Sequence, residues 1–176
     1  MTENLIHLRR PGVSVVVDVA VGVPVIAHWG RELETIDGDS ILASVYLPKQ
    51  PGGVDVTAPI AVVPQHGEGC FARPGLAGHR SGGRYFAPRF SNSKIEMSDY
   101  GFVFTSTDSA AELGLCCQFE LRESGVLAIN AVVTNHGDSR YLLDALSVTL
   151  PIPSSAEELV TMTGSWAREF AIHRQT

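Results

Sequence analysis

An alternation of residue types near the N-terminus restricts the fold of this chain more than any other feature. Five valines occupy every second position of one short segment: Val13, Val15, Val17, Val19 and Val21. A strand places residues of this period on one face, whereas a helix would spread them around its axis. The pattern therefore predicts a β-strand with one strongly buried face.

Similar short runs recur along the chain, separated by Gly, Pro, Asn and Asp, as expected of strands joined by turns. Ten prolines and seventeen glycines leave little room for long helices. Short helices are expected only at residues 36–41 and 154–160. The other predicted strands lie at residues 25–29, 44–47, 60–63, 95–106, 113–122, 126–135 and 141–150. The predicted fold class is all-β, a large antiparallel β-sandwich with few short helices.

One predicted hairpin has a readable register. Its turn lies near residues 123–125, and a strand on each side carries alternating apolar residues. The inward face of the first strand is predicted to hold Leu115, Cys117, Phe119 and Leu121, and that of the second Leu127, Ile129, Ala131 and Val133.

Composition excludes several classes of protein. The 176 residues, 44% of them hydrophobic, suit one compact domain. A formal net charge of −6, with scattered Arg and Lys, offers no basic face for nucleic acid. No segment approaches the roughly 20 apolar residues of a membrane span, and the N-terminus lacks the order of a secretory signal. Three cysteines, an odd number, are expected to be free thiols, so a cytoplasmic location is predicted.

Residues 63–90 differ from the rest of the chain, because they mix Gly, Pro, Arg and His and contain no convincing strand. A long loop in a compact domain is usually functional or disordered. Aromatic rings stack on the apolar face of a sugar while basic groups bind its hydroxyls. The alternative is that the rings anchor the loop and the arginines pair with acids on a neighbouring domain or subunit. The residues concerned are Phe71, Arg73, His79, Arg80, Arg84, Tyr85, Phe86 and Phe90.

The motifs predict no catalytic residue, cofactor or metal site in this chain. Cys70 with His66 or His79 is the nearest approach to a nucleophile and base, or to zinc ligands, but it lacks a second ligand pair. The string at residues 67–69 lacks the Gly-Lys-Ser/Thr of a phosphate-binding loop. No two carboxylates form the pair that glycoside hydrolysis requires. Asp144, inside a predicted strand, is expected to be half-buried against Arg140 or at a domain contact.

Five segments of the chain, taken in order, are informative together: PQHGEGCFARPGLAGHR (64–80), YFAPRF (85–90), VTNHG (133–137), LDALSVTLPIP (143–153) and TGSWARE (163–169). In this order they resemble the N-terminal region of glycoside hydrolase family 36 α-galactosidases of the actinobacterial type. The resemblance implies a supersandwich of the galactose-mutarotase type, followed in the family by a catalytic (β/α)8 barrel whose two aspartates carry the chemistry. It therefore implies a domain at residues 1–162, and a linker at 163–176 toward a missing barrel.

The resemblance also implies roles for particular residues. In some members a loop aromatic of this domain reaches the substrate site, and Phe71 matches it; Arg73 and His66 are the accompanying candidates for substrate contact. Trp166, Asp144 and Arg80 are the candidates for a domain or subunit interface. The implied parent is a retaining α-galactosidase acting on α-galactosides through its barrel, as a homo-oligomer, while this segment alone is expected to be inactive.

Two other functions remain open at this level. A free-standing carbohydrate-binding module would use residues 63–90 as its binding site. A mutarotase-like sugar enzyme shares the architecture and would need a His with a carboxylate, for which His66 and Glu68 are the only local pair.

Overall fold

A computed structural model of the protein describes residues 4–20, 22–46, 51–52, 59–70, 72–152 and 156–176. Two short 3₁₀ turns (His66–Glu68 and Ser81–Gly83) interrupt the loops. The strands are β1 (Leu5–Arg10), β2 (Val13–Asp18), β3 (Val25–Arg31), β4 (Leu76–Arg80), β5 (Asn92–Ser98), β6 (Gly101–Asp108), β7 (Leu113–Leu121), β8 (Leu127–Asn135), β9 (Tyr141–Leu146), β10 (Leu159–Ser165) and β11 (Arg168–Gln175), and the helix is α1 (Gly38–Val45).

All strand pairs of the described residues are antiparallel, which confirms the predicted fold class. The two larger sheets have the orders β1-β2-β3 and β5-β6-β7-β8, and the pairs β4-β9 and β10-β11 form two smaller ones. One apolar core joins the two larger sheets as the layers of a sandwich. The helices of the described residues are all too short to cross a membrane.

The hairpin β7-β8 has the predicted register. Cys117 pairs with Ala131 and Phe119 with Ile129, and the turn lies at residues 123–125. The inward residues of β7 are fully buried, while those of β8 are partly buried against the same core. Phe119 also stacks on Phe102 of β6, with ring centroids 4.3 Å apart. Period-two alternation thus placed these side chains correctly.

Strand β2 is buried on both faces, whereas the sequence predicted one strongly buried face. Val15 and Val17 join the sandwich core, while Ser14, Val16 and Asp18 are also buried on the opposite face. Chain segments after β3 cover that second face: the Leu33 N–H donates to Ser14 Oγ (2.9 Å), and the hydroxyl of Tyr46, just after α1, donates to Asp18 Oδ2 (2.6 Å). Central position and a helical cover explain the double burial.

Several local predictions were wrong. Residues 44–45 belong to α1 rather than to a strand, because the helix begins after Asp37, whose carbonyl accepts the Ile41 N–H (3.0 Å), and continues to Tyr46, which donates to Leu42 O (2.8 Å). Residues 60–63 form no strand. Residues 156–160 form no helix, since β10 begins at Leu159.

The linker expected at residues 163–176 stays a prediction. In the structure these residues lie mostly in the hairpin β10-β11.

Candidate functional site

The predicted long loop contains a small closed loop at residues 64–75. Its neck is held by the Gly75 N–H, which donates to Pro64 O (2.9 Å). A Cβ added at Gly75 would lie 2.8 Å from Val63 Cα and 2.9 Å from Pro64 Cδ, so the two chains approach too closely for a side chain there. The segment has the close ends of an Ω-loop, a common carrier of functional residues.

Strand β4 follows this neck and corrects the prediction that residues 63–90 lack a strand. It pairs with β9, with Leu76 opposite Leu146 and Arg80 opposite Tyr141. Leu76 is buried in the core. Because a paired strand follows the loop directly, the C-terminal end of the loop is fixed to the sandwich.

The base of the loop is sealed. Gln65 is buried, and its Oε1 accepts the Phe90 N–H (2.7 Å). The space between the loop and residues 86–90 is about 10 Å³, room for at most one water molecule. The described residues therefore form no sugar-sized cavity at this point, and a contact with substrate would have to come from the loop's outer side.

The outer side of the loop carries two of the three predicted substrate-binding residues. His66 and Arg73 are both exposed, and the His66 ring makes a hydrogen bond with Ala72 O (Nε2 to O, 3.2 Å) across the loop. Phe71, the third candidate, lies outside the described residues. The loop thus presents an imidazole and a guanidinium to solvent on either side of position 71.

Glu68 does not form the acid–base pair with His66 that a mutarotase-like enzyme would need. The His66 ring bonds to Ala72 O, while the Glu68 carboxyl group packs against Gly22. Burial raises the pKa of Glu68, and the amide of Gln65 and the charge of Arg89 oppose that rise. The two groups of the predicted pair therefore have separate neighbours.

Arg80 is an internal residue, which corrects its assignment to an interface. Its side chain is 3% exposed, and the guanidinium donates five hydrogen bonds within the domain. The acceptors are Ala111 O, Asn135 Oδ1 and both oxygens of Ser139. Glu112 lies 3.9 Å away as a charge partner. Burying a guanidinium charge is tolerated only with such partners.

Asp144 and Trp166 are at the surface of the described structure. Asp144 is exposed rather than half-buried, and it takes part in none of the ion pairs among the described residues. Trp166 is 92% exposed at the tip of the hairpin β10-β11, where Ala167 has a left-handed φ of 69°. A tryptophan held so far out of the core is available to another surface.

One face of the hairpin β10-β11 is apolar near its centre. Register places Met162 opposite Ile172, and Val160 lies on the same side opposite Arg174; the three apolar side chains are exposed. The opposite face carries Thr161, Thr163, Ala171 and His173. A groove of about 400 Å³ lies beside the tip, bounded by Met162, Trp166, Glu169 and Phe170. Isolated hairpins are marginally stable in water, so this face requires a cover.

The described residues show no clustered metal ligands, and the Cys117 thiol is buried. They contain no group of three or more His, Cys, Asp or Glu side chains placed to hold a metal ion. All three cysteines are free, as predicted. Burial raises the pKa of the Cys117 thiol to about 12, which suppresses the thiolate form that nucleophilic chemistry needs.

One protein-family model matches most of the chain. The model described as the glycosyl hydrolase family 36 N-terminal domain matches residues 22–176. The chain belongs to this family. A curated relative, the α-galactosidase of Escherichia coli, is 32% identical over 149 residues, which is 85% of this chain and 21% of that protein. This family 36 domain therefore spans about a fifth of that relative.

Solved structures agree on the fold. A family 36 α-galactosidase of Geobacillus stearothermophilus in complex with stachyose has a TM-score of 0.73 at 19% identity, over 97% of this chain and 28% of that one. The α-galactosidase of Lactobacillus brevis has a TM-score of 0.73 at 16% identity, over 97% and 27%. The family 36 domain thus shares its fold with about a quarter of each of these longer chains.

Sequence reasoning missed three residues that shape the loop. Gln65 and Gly75 fix its base and neck, and Gly22 receives the Glu68 carboxyl from a distant segment. No sequence signal marked Gly75, because the strand that follows it, β4, was not predicted. Nothing local could have linked Gly22 to Glu68, because 46 positions separate them.

Proposed function

We propose that this chain is the noncatalytic N-terminal domain of a retaining α-galactosidase, and that it packs on the catalytic part of the same protein. The carrying observation is the exposed apolar face of β10-β11, with Met162 and Ile172 at its centre. The proposal is supported by the family match and by relatives named as α-galactosidases.

The docking part of this proposal is tested by charge placed on either face of one strand. Met162→Asp puts a carboxylate on the apolar face, and Thr163→Asp puts one on the opposite face of β10. Covering a methionine contributes about 1.5–3 kcal/mol. We expect Met162→Asp to lower the stability and α-galactosidase activity of the full-length protein, while Thr163→Asp changes stability by less than about 0.5 kcal/mol. Equal effects of the two substitutions would refute docking through this face.

The loop at residues 64–75 is proposed to contact the substrate, with Phe71, Arg73 and His66 as the contacting residues. Support comes from the exposure of His66 and Arg73 on a loop with a sealed base. Arg73→Ala is expected to raise KM for a galactoside by about tenfold with a smaller change in kcat, as for a group that binds the ground state. Arg122→Ala, an exposed arginine after β7, is the matched control. Unchanged kinetics for Arg73→Ala and Phe71→Ala would remove the loop from the site.

Two further features of the parent are proposed. The protein is a homo-oligomer, with Trp166 and Asp144 at a domain or subunit contact, supported by their exposure. It is cytoplasmic, which agrees with three unpaired thiols. Light scattering of the wild type and of Trp166→Ser tests the first, and cell fractionation tests the second.

A further inference from the structure

We infer that Glu68 and Gly22 form a clamp that fixes the position of the 64–75 loop on the sandwich. Glu68 ends the 3₁₀ turn at the start of the loop's exposed part, directly before Gly69 and Cys70. Gly22 lies in the connection between β2 and β3, 46 positions before Glu68 in the sequence. This inference deepens the proposed function, since it concerns how the proposed substrate loop is positioned.

The fit between the two residues is the main observation. A Cβ built on Gly22 would lie 1.6 Å from Glu68 Oε1, 2.7 Å from Cδ and 3.2 Å from Oε2. The carboxyl group thus occupies the volume that any other side chain at position 22 would fill. Gly22 also has a φ of +61°, which side chains rarely adopt. The backbone conformation favours glycine here, and a side chain at position 22 would have to displace the Glu68 carboxyl group.

Neighbouring residues hold the same turn from other directions. Gln65 binds the Phe90 N–H through Oε1 (2.7 Å). The backbone at Gly67 lies against the stem of Arg89, since an added Cβ there would be 3.2 Å from Arg89 Cβ. Three contacts at positions 65, 67 and 68 therefore join one turn to two separate segments of the chain. Three such points determine an orientation, whereas one would leave the loop free to pivot.

The chemical environment of Glu68 agrees with a clamped carboxyl group. The Gln65 amide lowers the pKa of Glu68 although its Nε2 is outside hydrogen-bond geometry with every partner among the described residues. Burial has the largest effect and raises the pKa of Glu68, while the positive charge of Arg89 lowers it. The carboxyl group is therefore partly desolvated and lies within the electrostatic reach of Arg89.

Glu68 acts as a positioning residue, because it holds the loop and is not itself among the residues proposed to contact substrate. Removing the clamp should leave the sandwich folded and free the loop. The expected change is local: the amides of Gly69, Cys70 and Gly75, which donate to His66 O, Gln65 O and Pro64 O, should exchange with solvent faster.

Hydrogen exchange of the full-length protein, followed by mass spectrometry of peptides covering residues 66–75, tests the clamp. Gly22→Ala displaces the Glu68 carboxyl group from its contact with position 22, and Glu68→Ala removes that group. Each substitution should accelerate exchange in these peptides by about tenfold or more. Glu68→Gln keeps the shape of the side chain and should rescue exchange to within about threefold of wild type.

Gly12→Ala is the matched control for backbone strain. Gly12 has a φ of +81° and nothing within 4 Å of an added Cβ. It should lower thermal stability like Gly22→Ala, yet leave exchange at residues 66–75 unchanged. Wild-type exchange in Gly22→Ala and Glu68→Ala, or equal acceleration in Gly12→Ala, overturns the clamp.

The exchange experiment contains no substrate, so it separates the clamp from the proposed sugar contact. Faster exchange in the clamp variants with unchanged galactoside KM supports the clamp and contradicts the substrate role of the loop. Unchanged exchange refutes the clamp, whatever the kinetics of Phe71→Ala and Arg73→Ala.

Discussion

Replacement of Arg80 by alanine should be among the most destabilising single changes in this domain. The guanidinium is 3% exposed and satisfies Ala111 O, Asn135 Oδ1 and Ser139 O. A hydrogen bond to a charged group contributes about 1.5–3 kcal/mol. Ala111 O is a buried acceptor, whereas Asn135 and Ser139 are exposed residues whose oxygens water can reach. Together the lost bonds give an expected loss of about 3–5 kcal/mol, a large part of the roughly 5–15 kcal/mol of a typical domain.

Urea unfolding followed by circular dichroism measures this loss. With a slope of about 2 kcal/mol per molar urea, the midpoint of Arg80→Ala should fall by about 1.5–2.5 M. Arg80→Lys keeps the charge but replaces the planar fork by a single ammonium, which cannot reach Ala111 and Ser139 together. We expect it to lose about 2–3 kcal/mol.

Arg84→Ala is the control, because Arg84 is exposed and donates only to Ser81 O (3.3 Å) among the described residues. Its effect should stay below about 0.5 kcal/mol. If the free energy of unfolding of Arg80→Ala lies within about 1 kcal/mol of the wild-type value, or equals that of Arg84→Ala, then the Arg80 hydrogen bonds do not stabilise the domain as argued.

Three further outcomes are expected. At pH 8 an alkylating reagent should label Cys116 and leave Cys117 unmodified in the native state, since burial raises the Cys117 pKa to about 12; mass spectrometry of the digested protein checks this, and equal labelling would contradict it. Tyr46→Phe removes the donor to the buried Asp18 and should cost about 1–3 kcal/mol in urea unfolding; a neutral result would show that Asp18 is solvated. The raised pKa of Glu68 contributes stability that is complete below its ordinary pKa and is lost as pH rises through the folded value; Glu68→Gln should therefore gain stability relative to wild type with rising pH, and a parallel pH profile would contradict it.

The strands of the sandwich were predictable wherever one face is buried and the other is not. The hairpin β7-β8 shows this, because its turn and its alternation together determine the register. A shift of one residue would turn the apolar face of one strand toward solvent. Strand β2 is buried on both faces instead of one, since local alternation does not indicate what covers the second face. Residues 44–45 are helical because the helix that begins after Asp37 extends to Val45. The β-forming residue types at these positions had indicated a strand instead.

The candidate site was less predictable, because it depends on contacts between distant positions. The loop was located by composition, yet the seat of Glu68 at Gly22 required the fold. Arg80 was a candidate for an interface, and the structure buries it among acceptors from residues 111–139. TGSWARE was predicted to belong to a linker; in the structure a bulge between Thr163 and Ser165 and the left-handed Ala167 form the end of a hairpin.

Galactoside hydrolysis by the full-length protein, compared with the 176-residue chain alone, tests the central claim most directly. The substrate is a chromogenic α-galactoside, and NMR of the first product follows the anomeric configuration. The account predicts hydrolysis with retention by the full-length protein and no turnover above background by the chain alone. Hydrolysis by the isolated chain, or inactivity of the full-length protein toward every α-galactoside tried, would contradict the assignment of this domain as the noncatalytic part of an α-galactosidase.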